Sequence, residues 1–168
     1  MSRLVQGIAA VALLWGMGLV AVVKAQSADF SAVARVDAAQ SGLTQTEGSV
    51  TLDLALSQGV PYRAYTLDSV GEVPRRLVLD FREVDWQGLT PDALGQSEAV
   101  SALRFGPVRP GWSRLVLDLT RPMVLDRAGM TVDPSTGGAR LRVMLRPASA
   151  EAFAAQAGAP RDPGFDLP

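Results

Sequence analysis

A hexapeptide occurs twice in this chain. Arg76-Leu77-Val78-Leu79-Asp80-Phe81 begins again 38 positions on as Arg114-Leu115-Val116-Leu117-Asp118-Leu119. Side chains alternate across a strand, so each copy places three large apolar residues on one face and Arg, Val and Asp on the other. Half-buried β-strands suit that pattern, and upstream of each copy lies a further alternating segment, Tyr62 to Leu67 and Val100 to Phe105. The repeating unit is therefore strand, turn, strand, and two such units are expected to form two sheets packed face to face. A weaker third echo is Arg140-Leu141-Arg142-Val143-Met144-Leu145. Within one strand Arg76 and Asp80 stand about 13 Å apart, too far to pair, so their partners must come from neighbouring strands. Two readings of the Arg/Asp face stay open: a cross-strand ladder that fixes register, or an Arg-bearing surface for an anionic ligand.

The remaining chain carries the same period. Val50, Leu52, Leu54 and Leu56 alternate with Thr51, Asp53 and Ala55, Gln58-Gly59 turns the chain, and Pro61 stands where no ladder donor is needed. Ser113 to Leu119, Met123 to Ala128 and Arg140 to Arg146 complete the set of strands. The fold class is all-β, a sandwich of two related small antiparallel sheets, with a short C-terminal helix and linker. A short helix is predicted at Pro91 to Leu94, capped by Thr90, and an exposed one over Ser149 to Ala157. Residues 1–25 are assigned to a signal peptide, 26–48 to a leader able to add one edge strand, 49–147 to the β domain and 148–168 to the helix and a Pro/Gly linker. Phe81, Phe105, the strand leucines and Trp86 are core candidates.

Composition narrows the chemistry. There is no His and no Cys, and of 16 basic residues all but Lys24 are Arg. Ser-His-Asp and Cys-His nucleophiles and an ordinary zinc site are excluded, and loss of Lys24 with the signal would remove Schiff-base chemistry as well. Arg3 followed by an uncharged run from Leu4 to Val23 and by Val23-Lys24-Ala25 predicts export and cleavage after Ala25, giving a periplasmic protein. That run approaches membrane-span length, so an inner-membrane anchor through residues 4–23 is the competing reading. Cleavage would leave 14 bases against 17 acids, which argues against a nucleic-acid partner. No catalytic, metal or cofactor residue is assigned.

The paired R-L-V-L-D motifs, Val100-Ser101-Ala102-Leu103-Arg104-Phe105-Gly106 and the segment Arg109-Pro110-Gly111-Trp112 resemble the AMIN domain, most similar to those at the N-terminus of periplasmic N-acetylmuramoyl-L-alanine amidases. The resemblance spans about Ser49 to Arg146. It implies a β-sandwich that binds peptidoglycan and directs an amidase domain to the division septum, with an amidase domain encoded downstream or separately and divisome proteins as partners. The zinc-binding histidines of those amidases have no counterpart in this sequence, and Pro160 to Pro168 lies where the linker to such a domain would begin. Similar domains also precede secretin rings, so an assembly module contacting protein is an alternative. A carboxylate-based wall glycosidase, using Glu83 with Asp85 or Glu98, is a third.

Gly106-Pro107 and Pro110-Gly111 bracket Val108-Arg109 in what the sequence predicts to be a restricted loop between strands. The candidate ligand-binding residues are Arg109 and Trp112, with Arg104 and Arg114 supporting. A sugar ring can lie on an indole face and an Arg fork can grip a peptide carboxylate; Trp112 can equally plug the end of the sandwich. If the loop is structural, the binding face falls instead on the strands carrying Arg76, Asp80 and Arg82. Asp68-Ser69-Val70-Gly71 and Asp133-Pro134-Ser135-Thr136-Gly137 are read as hairpin turns.

Overall fold

The computed structural model describes residues 33–161. The signal, the anchor alternative and the start of the leader lie outside the described residues, as does the end of the linker. Nine strands follow in order: β1 (Ala34–Thr46), β2 (Ser49–Leu56), β3 (Tyr62–Leu67), β4 (Arg75–Arg82), β5 (Val84–Asp85), β6 (Val100–Arg109), β7 (Trp112–Leu119), β8 (Met123–Val132) and β9 (Ala139–Pro147); the helix α1 (Ala150–Gln156) follows them. They form a five-stranded sheet ordered β5-β1-β2-β9-β8 and a four-stranded sheet ordered β3-β4-β7-β6. All named pairings are antiparallel except the two-residue match of β5 to β1. The fold is an all-β sandwich with one short C-terminal helix.

The inner faces are those the period of two assigns. Leu77, Leu79, Phe81, Leu115, Leu117 and Leu119 of one sheet meet Leu52, Leu54, Leu141, Val143 and Leu145 of the other in a single buried cluster. Trp86 joins it, stacked on Phe105 with centroids 4.9 Å apart and edge-on to Phe81 at 5.6 Å.

The two copies of the repeat do not head separate sheets. Both hairpins lie in the four-stranded sheet, with β4 and β7 paired at its centre so that Arg76 stands opposite Asp118, Val78 opposite Val116 and Asp80 opposite Arg114. R-L-V-L-D is charge-complementary to itself when antiparallel, which gives the physical reason: placed in different sheets, each Asp and Arg would lose its cross-strand opposite. Only the third echo, in β9, belongs to the other sheet.

Four further expectations change. Most of the leader is a long strand: β1 pairs along β2 through the turn Glu47-Gly48, whose positive φ values of 49° and 80° suit a two-residue hairpin. The predicted Gly106–Trp112 loop is strand almost throughout, reduced to the turn Pro110-Gly111 with Gly111 at φ 73° and a bulge between Pro107 and Arg109. Pro before a positive-φ Gly is the order of a type II turn. The helix α1, third, is not wholly exposed. Ser149 accepts a hydrogen bond from the Ala152 amide and caps it, while Phe153 is fully buried under the Arg75 guanidinium. Pro91–Leu94 is a 3-10 turn in which Thr90 makes no side-chain cap.

Candidate functional site

The outer face of the four-stranded sheet gathers the candidate residues. Arg63 and Tyr65 come from β3, Arg76, Val78, Asp80 and Arg82 from β4, Trp112, Arg114, Val116 and Asp118 from β7, and Arg104 and Arg109 from β6. Six arginines thus share a face with two aspartates.

Asp80 is the hub of this face. It is 3% exposed, and it accepts hydrogen bonds from Arg114 Nε on Oδ1 at 2.6 Å, and from Arg63 Nε at 2.9 Å and the Tyr65 hydroxyl at 3.1 Å on Oδ2. Burial alone would raise its carboxyl pKa; the hydrogen bonds from Arg114 and Arg63, the Arg114 charge and the Tyr65 hydroxyl outweigh it and hold the group below the ordinary carboxylate value. The hydrogen bond to Asp80 in turn raises the Arg114 guanidinium. Burial, and then the Asp80 charge, raise the Tyr65 phenol. Asp118 is buried too and accepts from Arg104 Nη2 at 2.8 Å. Of the two readings of this face the cross-strand ladder is present for Asp80 and Asp118, with partners on neighbouring strands, but Arg76, opposite Asp118, leaves its buried Nε without a hydrogen-bond partner. Arg63, Arg104 and Arg114 are held by it.

Beyond the ladder, at the hairpin end, lies a row of a different kind. Trp112 is directly opposite Arg82 on one side and Arg109 on the other. Their guanidinium carbons stand 4.6 Å and 4.5 Å from the indole centroid. Trp112 is half-buried on the outer face, so it is neither a plug in the sandwich core nor an open platform. Loss of hydration against its surroundings, and then the Arg82 and Arg63 charges, lower the Arg109 pKa from its ordinary value, with Asp80 opposing.

The four residues singled out in the sequence, Arg104, Arg109, Trp112 and Arg114, therefore lie on one face, together with the Arg76, Asp80 and Arg82 set that had stood as its alternative. Arg63 and Tyr65 were missed. Their signal was the alternation in Tyr62 to Leu67, which puts both on one side; the pairing of that side with Asp80 depends on register.

A depression of about 860 Å³ lies elsewhere, on the outer face of the five-stranded sheet. Its three arginines, Arg127, Arg140 and Arg142, are balanced by acids: Arg142 Nε donates to Asp53 at 2.8 Å, Asp37 and Asp133 line the same depression, and Arg140 donates to the Gln40 carbonyl. The Arg/Trp face is the one with a charge imbalance. The Asp68 and Asp133 segments are hairpin connections; the Asp133 carboxylate accepts from both the amide and the hydroxyl of Ser135, at 2.8 and 2.6 Å. Asp85 accepts from the Gln87 amide, and Glu83, at φ 52°, donates its own amide to Gly111. Among the described residues no three His, Cys, Asp or Glu side chains converge as a metal site would need. No protein-family model matches the chain, and no curated protein matches it either.

Proposed function

We propose that this chain is a peptidoglycan-binding module of the AMIN kind, exported to the periplasm, which carries an amidase activity to the cell wall without performing it. The observation that supports the reading most is the outer face of the four-stranded sheet, where six arginines meet two aspartates on a chain whose formal charge is −1. Peptidoglycan is a polymer with carboxylates along its peptides, and a rigid sheet of guanidinium forks meets such a surface at little entropic cost. Rigidity here has a source in the ladder: the Asp80 and Asp118 pairs fix three of the six side chains. The test is sedimentation of the purified chain with sacculi. Wild type should co-sediment at low salt, and a variant with Arg82, Arg109 and Trp112 all replaced by Ala should stay in the supernatant while keeping its melting temperature within a few degrees. Wild-type protein that never co-sediments with sacculi would falsify the proposal.

A further inference from the structure

Resting on the wall-binding reading, we infer that the Arg82–Trp112–Arg109 row is a carboxylate clamp, and that the wall component it takes is the anionic peptide, not the glycan. The two chemistries place opposite demands on Trp112. A pyranose binds an indole by lying on its open face. Trp112 has a guanidinium over its ring from the strand on either side, with the carbons 4.6 and 4.5 Å from the ring centroid. A sugar laid on the ring has to compete with these guanidinium groups for the indole, or displace one.

A carboxylate needs no such displacement. A guanidinium's N–H donors lie in its own plane and are directed along its edges, so the Arg109 fork can meet two carboxylate oxygens while its carbon stays over the ring. The indole stands beside both guanidinium groups, whose carbons are no more than about 9 Å apart, so that Arg82 adds its charge next to the Arg109 fork. Arg109 has no hydrogen bond or ion pair with any carboxylate among the described residues, whereas Arg63, Arg104 and Arg114 have theirs in Asp80 and Asp118. The like charges of Arg82, across the indole, and then of Arg63 act on Arg109 more strongly than the opposing charge of Asp80. An anion arriving at this row relieves like-charge repulsion, which a neutral sugar does not. Pro110-Gly111 limits the motion of the hairpin that carries Arg109 and Trp112.

The experiment compares the full mature chain on native sacculi, on sacculi whose carboxylates have been converted to methylamides, and on soluble poly-L-glutamate. Amidation leaves the sugar rings in place and removes the charge. Binding should fall at least tenfold on amidated sacculi; Arg109→Gln should lose about tenfold on native sacculi and nothing more on amidated ones; and an N-acetylglucosamine tetramer should not compete. Trp112→Phe, which keeps an aromatic ring, should retain most of the binding. Equal binding to amidated and native sacculi, or competition by the tetramer, overturns the clamp while leaving wall binding intact. Failure on native sacculi with Arg109-dependent binding to poly-L-glutamate overturns the wall reading and leaves the clamp. Binding to neither removes both.

Discussion

Asp80 shows how one side chain divides a cationic face into structural and available charge. Two guanidinium N–H groups and a phenol converge on its buried carboxylate, so Arg63 and Arg114 serve the sheet before they serve any ligand. Asp80→Asn removes the negative partner and leaves two cations facing each other, and should destabilise the fold by about 2 kcal/mol or more, since hydrogen bonds to charged groups are worth about 1.5–3 kcal/mol. The pH dependence has a definite sign. The folded carboxyl lies below its ordinary value, so the stability it supplies is fully present above about pH 4, the unfolded value, and disappears as pH falls through the lower folded value. Denaturant melts of wild type between pH 7 and pH 2 should accordingly show a larger acid loss than Asp80→Asn, which keeps only the part due to other depressed carboxyls such as Asp133 and Glu151. Identical acid limbs in the two proteins would show that the Asp80 pair contributes nothing net. Tyr65→Phe takes away only one of the three donors and should cost about 1 kcal/mol, read in the same melts.

At the scale of elements, the hairpins explain both what the sequence made legible and what it concealed. Alternation located β2, β3, β4, β6, β7, β8 and β9 to within a few residues, because each has one face against a core and the other toward solvent. It could not say which hairpin sits beside which. That information is in the self-complementary order of Arg and Asp, visible in the sequence only if the two copies are written antiparallel. β1 was under-read because a bulge between Asp37 and Gly42 interrupts its alternation, with Asp37 turned to the Ala39 amide and the Gln40 side chain. Likewise β5, two residues long, is too short for a period to register. The Arg82–Trp112–Arg109 row was half legible: Arg109 and Trp112 adjoin a conspicuous Pro-Gly turn, but Arg82 reaches them only through the register of β4 on β7. α1 makes the same point in reverse, since a short Ala-rich segment reads as exposed while one residue decides its docking. Phe153→Ala should lower stability by about 3 kcal/mol, and the melting temperature by roughly 10 °C, through the cavity it leaves. Calorimetry on that variant, with Phe153→Leu as a partial restoration, checks it; a change under about 1 °C would mean that α1 contributes nothing to the core.

On the scale of the whole molecule, charge separation matters more than total charge. The chain is formally −1, yet its two outer sheet faces differ, one with arginines balanced by Asp37, Asp53 and Asp133, the other with six arginines against two aspartates. Long-range attraction to an anionic polymer depends on that second face and is screened by salt, because the Debye length shrinks from about 30 Å at 0.01 M to about 8 Å at 0.15 M. On the wall-binding proposal, affinity for sacculi should fall several-fold over that range. Arg109→Gln should flatten the dependence, whereas Arg142→Gln on the opposite sheet should leave it unchanged. The same separation bears on catalysis. With no imidazole or thiolate in the sequence, the chain alone should release no stem peptide from sacculi with or without added zinc, and chelator-sensitive release would contradict the proposal. Fused ahead of an active amidase domain, it should instead raise that domain's turnover of whole sacculi, because one face held on the polymer lifts the effective concentration of every nearby bond. Soluble wall fragments offer no second attachment point, so their turnover should stay the same. Equal stimulation on both substrates would mean that the module acts on the enzyme rather than on the wall, and the Arg109→Gln fusion separates the two: stimulation through the wall disappears with that guanidinium, and stimulation through the enzyme does not.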